Sequence, residues 1–273
     1  MFQLLLFVIS ILAGGLGSIL GIGGGMIIVP VLTLLLHVDI RYAIAASLIS
    51  IVATSSGAAA SFLKDHLTNI RVAVLLEVGT VFGAMTGFII SSQISSAYLY
   101  FVFGFFLIFS AVMMFRKREN QFAVTNHPWS EKLKLAGEFP DLQNGRITYN
   151  VANVPLGLFL MYFAGILSAL LGIGSGILKV LAMDGAMKLP LKVSSATSNF
   201  MIGVTATASA GAYLLKGDVQ PDVAAPVALG IIVGSWVGAK IMVGMKPEMI
   251  RKIFVVLLTI VSIQMIIKGF KSI

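Results

Sequence analysis

No cysteine occurs among the 273 residues, so disulfides, thiolate metal ligands and thiol nucleophiles are excluded together. Charge is nearly as scarce: Asp, Glu, Lys and Arg make up 11% of the chain, where a soluble domain carries about a quarter. None of it falls between Met1 and Leu36. The three histidines, His37, His66 and His127, lie in predicted loops, and the apolar segments hold no convergent carboxylates. An embedded enzyme or metal centre would need its nucleophile and base, or its ligands, to meet inside those segments. Both are set aside, and no cofactor is implied.

What is present is hydrocarbon. The chain is 58% hydrophobic with a mean hydropathy of +1.00, and its charge is confined to gaps between long apolar runs, the pattern of a polytopic membrane protein. The net charge of +8 reads as basic loops on one side of a bilayer rather than a nucleic-acid surface, because no basic cluster sits in a soluble-looking domain. Met1–Leu20 lacks the basic start and the cleavage site of a secretory signal.

Apolar runs fall near 2–36, 43–63, 72–93, 97–115, 151–183, 193–215, 223–243 and 253–267. The first and fifth exceed one membrane helix, and each has a glycine cluster at its middle. Sliding the chain against itself by 151 positions aligns Gly14–Ile90 with Gly165–Ile241 without a gap, giving 20 identities in 77 columns. Chance would give roughly one in ten for so skewed a composition. The chain is therefore read as two copies, 1–115 and 151–273, joined by a polar loop over 116–150. If each long run crosses once, a copy has four crossings and the loop Lys and Arg divide 11 to 6. If each breaks and crosses twice, the count is five and the division 13 to 4. The positive-inside bias favours five, with the joining loop cytoplasmic and both termini outside. An odd count makes the repeats inverted.

The breaks read "GIGGG" at Gly21–Gly25 and "GIGSG" at Gly172–Gly176. A glycine cluster lets a helix unwind, and freed backbone groups inside a membrane must be met by protein or a wet cavity. A half-helix resuming after the break turns unpaired N–H groups and a positive dipole end toward it, which attracts anions. Tight packing or a simple kink is the competing reading. For Gly79, Gly83, Gly87 and their counterparts Gly230, Gly234, Gly238, spacing of four favours packing outright. A dinucleotide-binding turn is rejected, since it needs a soluble strand–turn–helix unit.

Glu77, Lys179 and Lys240 lie within apolar runs. Lys240 is close enough to a span end to snorkel. Lys179 falls in the first turn after the second break, where a cation opposes the helix dipole and needs a negative partner. That partner is either a bound anion or Glu77, and a Glu77 pair could also carry protons. "KVSSATSNF", Lys192–Phe200, opens the following helix, and some of its hydroxyls are expected to cap it. Ser198 and Thr205 share a helical face, as do Ser47 and Thr54, either as a polar cavity stripe or as hydroxyls bonded to their own helix.

"GIGGGMIIVP" with the downstream "AIAASL", and "GIGSGILKV" with "KVSSATSNFMIGVTA", resemble the sulfite exporter TauE/SafE family of membrane transporters. The resemblance covers nearly the whole chain outside Arg116–Asn150. It implies a permease for sulfite, sulfonates or related organosulfur anions, working without ATP hydrolysis. The family's motif residues map onto Gly23, Gly24, Gly25, Pro30 and Ser47, and onto Gly174, Gly176, Thr197 and Ser198. Two departures fall where the anion is expected. Ser175 replaces a glycine, and Lys179 with Leu181 replaces an apolar residue and a proline.

The expected fold is all-α: a polytopic membrane protein of two inverted repeats, each of about five helical segments with a glycine-broken helix. The expected function is secondary transport of a small anion, with a passive anion channel as the alternative. Lys179 is the expected anchor, Gly23, Gly24, Gly25, Gly174, Ser175 and Gly176 the backbone donors, and Ser47, Thr197, Ser198 and Asn199 the polar contacts. Glu77 is the proton carrier or the partner of Lys179. The expected setting is multi-pass in the cell membrane of a bacterium or archaeon, with lipid and substrate as partners. Oligomeric state is left open, a homo-oligomer among the alternatives.

Overall fold

The structure, a computed structural model, describes residues 2–19, 25–64, 67–115, 128–141, 145–242 and 247–272. Among them are eleven α-helices and one small hairpin sheet. The first half runs α1 (Phe2–Ile19), α2 (Gly25–Pro30, continued by a π-helical turn Val31–Leu35), α3 (Ile40–Lys64), α4 (Ile70–Gln93) and α5 (Ser96–Phe115). The connector holds α6 (Pro128–Lys132) and the antiparallel strands β1 (Gly137–Asp141) and β2 (Gly145–Tyr149). The second half repeats the first: α7 (Val154–Leu171), α8 (Gly176–Leu181, continued by a π-helical turn Ala182–Ala186), α9 (Leu191–Lys216), α10 (Pro221–Met242) and α11 (Pro247–Lys271).

The helices bury their small and polar faces and expose their large apolar ones, the reverse of a soluble fold. On α4, Val74, Val78, Phe82 and Met85 are exposed, whereas Glu77, Thr80, Gly83, Ala84 and Gly87 are buried. Hydrocarbon is the solvent such a surface fits. Among the described residues α4 and α7 are each long and apolar enough to cross a bilayer.

Small residues let the backbones close up, as their spacing predicts. A Cβ at Gly79 would stand 2.9 Å from the Leu158 carbonyl oxygen, and Gly83 and Gly87 press against Tyr162 and Ile166 of the same helix, α7. In the other half, Gly230 and Gly234 of α10 press against Phe7 and Ile11 of α1. Adding 151 to the first half's partners generates the second set, so the fourth helix of each half packs on the first helix of the other. The surroundings of Gly238 and the Lys240 side chain lie outside the described residues.

The second long run breaks, whereas residues 20–24 of the first lie outside the described residues. α7 stops at Leu171, and α8 resumes at Gly176 and doubles back. The Ala152 N–H donates to the Met187 carbonyl at 2.9 Å and Asn153 Nδ2 to the Ala186 carbonyl at 3.1 Å. The segment after the break thus returns to the level where α7 began. This is the break-and-return geometry on which five segments per half depends.

The connector differs from the polar loop expected. Leu135, Phe139, Tyr149 and Val151 are buried with Val72, Val154, Met183 and Val193 in a second apolar cluster. The sequence carries an Asn144–Gly145 dipeptide at the start of β2, a hairpin signal that a survey of apolar runs passes over. Asn69 ties the cluster to the helices. Its side-chain oxygen accepts from Val72 N–H at 3.1 Å, capping α4, and its Nδ2 donates to the Leu135 carbonyl at 2.8 Å and to Tyr149 Oη at 2.9 Å. Burial raises the Tyr149 pKa above its ordinary 10.0, opposed in part by the Asn69 hydrogen bond.

Two outcomes follow from this packing. Gly83→Val should lower the unfolding temperature of the detergent-solubilised protein, at an overpacking cost of about 1–3 kcal/mol. Val78→Leu on the exposed face should leave it unchanged. A folded-state phenol pKa above the unfolded one contributes stability that is fully present below the unfolded value and lost as pH rises through the folded one. Protease cleavage within the connector should therefore rise above about pH 10, and Tyr149→Phe should remove that dependence.

Candidate functional site

The chain between α7 and α8 reverses by three left-handed residues, Gly172 (φ 65°), Gly174 (φ 67°) and Ser175 (φ 49°). Glycine takes that conformation freely, and a serine there costs about 1–2 kcal/mol. Ser175 is also buried, and its Oγ has no hydrogen-bond partner among the described residues. A strained residue with an unmet hydroxyl sits at the turn where sequence comparison of the copies finds a glycine replaced.

The two breaks meet. A Cβ on Gly25, the first residue of α2, would lie 2.8 Å from the Gly172 carbonyl oxygen and 2.7 Å from Ser47 Oγ. Ser47 Oγ donates to that carbonyl at 2.6 Å, linking α3 of the first half to the break of the second. Ser198 Oγ donates to the Gly176 carbonyl at 3.1 Å. The two matched serines thus hold the break itself, each with its proton committed to a carbonyl. Gly174 and Gly176 are buried against Ile202.

Other expected contacts stand aside. The Thr197 hydroxyl accepts the Asn69 backbone N–H at 3.0 Å, toward the connector, and Asn199 Nδ2 donates to Ser195 of its own helix at 2.9 Å. The expected hydroxyl cap of α9 is not found: the N-cap is Pro190, with no side-chain cap. The helix starts at Leu191, so Ser194–Asn199 already lie inside it. Gly23 and Gly24 lie outside the described residues.

Lys179 has no exposed surface. Its Nζ donates to Thr205 Oγ1, Thr205 Oγ1 donates to Glu77 Oε1, and Glu77 Oε2 lies 3.7 Å from Nζ. A buried ammonium and carboxylate are thereby joined through one hydroxyl, and across the two halves, since Glu77 belongs to α4 and the other two to α8 and α9. The pairing alternative for Lys179 is the one present. Thr205 is the residue that sequence reasoning left out of the site, although its position seven after Ser198 put it on the same face.

The counterparts of Lys179, Thr205 and Glu77 are Ile28, Thr54 and Ala228. Thr54 bonds back to its own helix, to Ser50 and Ile51 carbonyls at 3.1 and 3.2 Å. The copies share a backbone plan and differ in chemistry.

A groove of about 450 Å³ opens between α4 and α9, lined by Val74, Val78, Val81, Phe82, Phe200 and Val204, with Glu77 among its walls. It does not reach Gly172–Gly176. Lys179 is closed off from it by Glu77 and Thr205.

Comparison with known proteins agrees with this architecture. The family model described as sulfite exporter TauE/SafE matches residues 6–265. The probable membrane transporter protein YunE of Bacillus subtilis is 28% identical over 280 residues, covering 98% of each chain. The probable membrane transporter protein MJ0441 of Methanocaldococcus jannaschii is 29% identical, covering 90% of this chain and 89% of its own. A second Bacillus subtilis protein, the probable membrane transporter YdhB, is 23% identical over 249 residues. No solved structure matches.

Thr205→Val keeps the shape and removes the bridging hydroxyl. It should destabilise the protein by about 1–3 kcal/mol, because two buried charged groups each lose a hydrogen bond. Thr54→Val, its counterpart, should stay within about 0.5 kcal/mol. Paired thermal unfolding in one detergent measures the difference.

Proposed function

Since the chain belongs to the sulfite exporter TauE/SafE family, whose relatives are named as transporters and not enzymes, we propose that it is a multi-pass secondary carrier of small anions. Sulfite, sulfonates or related organosulfur anions are the proposed substrates. The anion is held where the broken helices meet, with Lys179 as its electrostatic anchor and the N–H groups of Gly174–Gly176 and the Ser175 hydroxyl as donors. Gly23–Gly25 supply the facing backbone, and Ser47 and Ser198 both brace the second turn, at the Gly172 and Gly176 carbonyls.

The observation that carries this reading is Lys179 itself. Desolvating a fully buried ammonium and the carboxylate paired with it at 3.7 Å costs several kcal/mol for each ion, which their attraction only offsets. A purely structural role would be served at less cost by the isoleucine that stands at position 28 in the other copy. The unmet Ser175 hydroxyl beside it supplies a donor that has no other use.

The architecture we infer is two inverted repeats, 1–115 and 151–273, with 116–150 as a cytoplasmic connector. Parallel packing supports it: Gly79, Gly83 and Gly87 meet Leu158, Tyr162 and Ile166 in ascending order, and Gly230 and Gly234 meet Phe7 and Ile11 likewise. α4 therefore runs with α7. Segments one and four of a half are opposed when successive segments alternate, so α7 runs opposite to its match α1. Inverted repeats rocking about a shared site give alternating access. A passive channel could use the same site, but the complete burial of Lys179 favours a carrier that closes over its cargo.

The test compares Lys179→Ala/Glu77→Gln with Glu77→Gln alone, so that no buried carboxylate is left unpaired. Reconstituted uptake of a panel of small anions should lose affinity by about tenfold or more when the ammonium goes, since about 1.4 kcal/mol is a factor of ten. Equal uptake by the two variants removes Lys179 from the binding site.

A further inference from the structure

Lys179 has one carboxylate neighbour and no exposed surface, so it cannot hold Glu77 and a substrate anion as full counter-charges at once. A site with Lys179 and ionised Glu77 is neutral. Adding a monovalent anion leaves one buried negative charge in excess, which low-dielectric surroundings penalise heavily. Adding a proton with the anion restores neutrality. Resting on the carrier reading above, we propose that the protein is a proton–anion symporter in which Glu77 takes up one proton for each monovalent anion that Lys179 binds.

The atoms are arranged for that exchange. Glu77 Oε2 is buried and has no hydrogen-bond partner among the described residues, and it is the oxygen that receives the proton. An O–H bond forms there as one O–H bond of a hydronium ion breaks and leaves water. Thr205 Oγ1, which donates to Glu77 Oε1, has a second acceptor waiting in the Met201 carbonyl at 3.0 Å. When Glu77 is neutral, Thr205 turns its proton to Met201 and Lys179 turns to the anion, so that both of those donors keep an acceptor. The neutral carboxylic acid then faces the apolar groove between α4 and α9, which suits an acid and not a carboxylate. The proton comes from water on the side to which the site opens.

Other ionisable groups on the packed elements are engaged elsewhere. Arg71 donates to the Lys134 carbonyl, Tyr162 to Thr86, and Tyr213 to the Ala169 carbonyl; Lys216 bridges to Asp218. Asp184 and Lys192 hold interactions of their own. Ile28 and Ala228 at the matched positions of the other copy supply no second coupling pair, hence one proton per anion.

The probe is methanesulfonate, a monoanion with no proton to release. Added to purified protein in weak buffer with a pH indicator, it should draw up one proton per anion bound. Its affinity should fall by about tenfold per pH unit once Glu77 is ionised. Glu77→Gln should bind it with no proton uptake and no pH dependence, and in vesicles should fail to accumulate it under an acid-outside gradient that drives accumulation by the parent protein. Binding by the parent with neither proton uptake nor pH dependence overturns the symport and leaves the anion site standing. No binding of methanesulfonate or bisulfite at any pH overturns the carrier reading and the symport with it. Should Glu77→Gln not fold, the proton count of the parent protein decides alone.

Discussion

An ammonium group with no exposed surface, enclosed by helices whose outer faces are hydrocarbon, must have a counter-charge. Much of the centre of this molecule follows from that need. Lys179 is aligned by Thr205 one helix away and balanced by Glu77 from the opposite half. The pair therefore ties together the two halves of the chain.

The backbone around them is nearly symmetric and the chemistry is not. Each half has a glycine cluster, a serine and a threonine seven residues after it, and both serines brace the second break. Only the second half has the lysine, and only the first has the carboxylate. Gly25, at the start of α2, meets Gly172 of the second break. The opposite charges stand on opposite halves, and the packing of α4 against α9 brings them together.

The connector adds a constraint of another kind. Asn69 caps α4, bonds Tyr149 and Leu135 of the connector, and donates its backbone N–H to Thr197 of α9. The base of α4 and the start of α9 are thereby held to one small folded unit at the end of the molecule. This role is consistent with a buried Tyr149 whose hydroxyl is kept protonated.

Composition and periodicity alone made the membrane class, the repeated order of helices, the second break and the packing glycines legible. Each of these rests on local patterns: runs long enough to span, matches at a constant offset, small residues every fourth position. The Lys179 dilemma was legible too, because a cation in a first helical turn conflicts with the dipole wherever the chain goes. Its resolution was not, since Glu77 is about a hundred residues distant and only the cross-packing of α4 with α9 makes them neighbours. Nor could sequence separate Ser198, which faces the break, from Thr197 and Asn199 beside it, because rotation about the helix axis is set by what the helix packs against. Thus the sequence by itself determined what kinds of segment exist and which residues are in electrostatic debt. The tertiary structure decided who meets whom, because charge compensation inside a membrane depends on distances that no one-dimensional pattern contains.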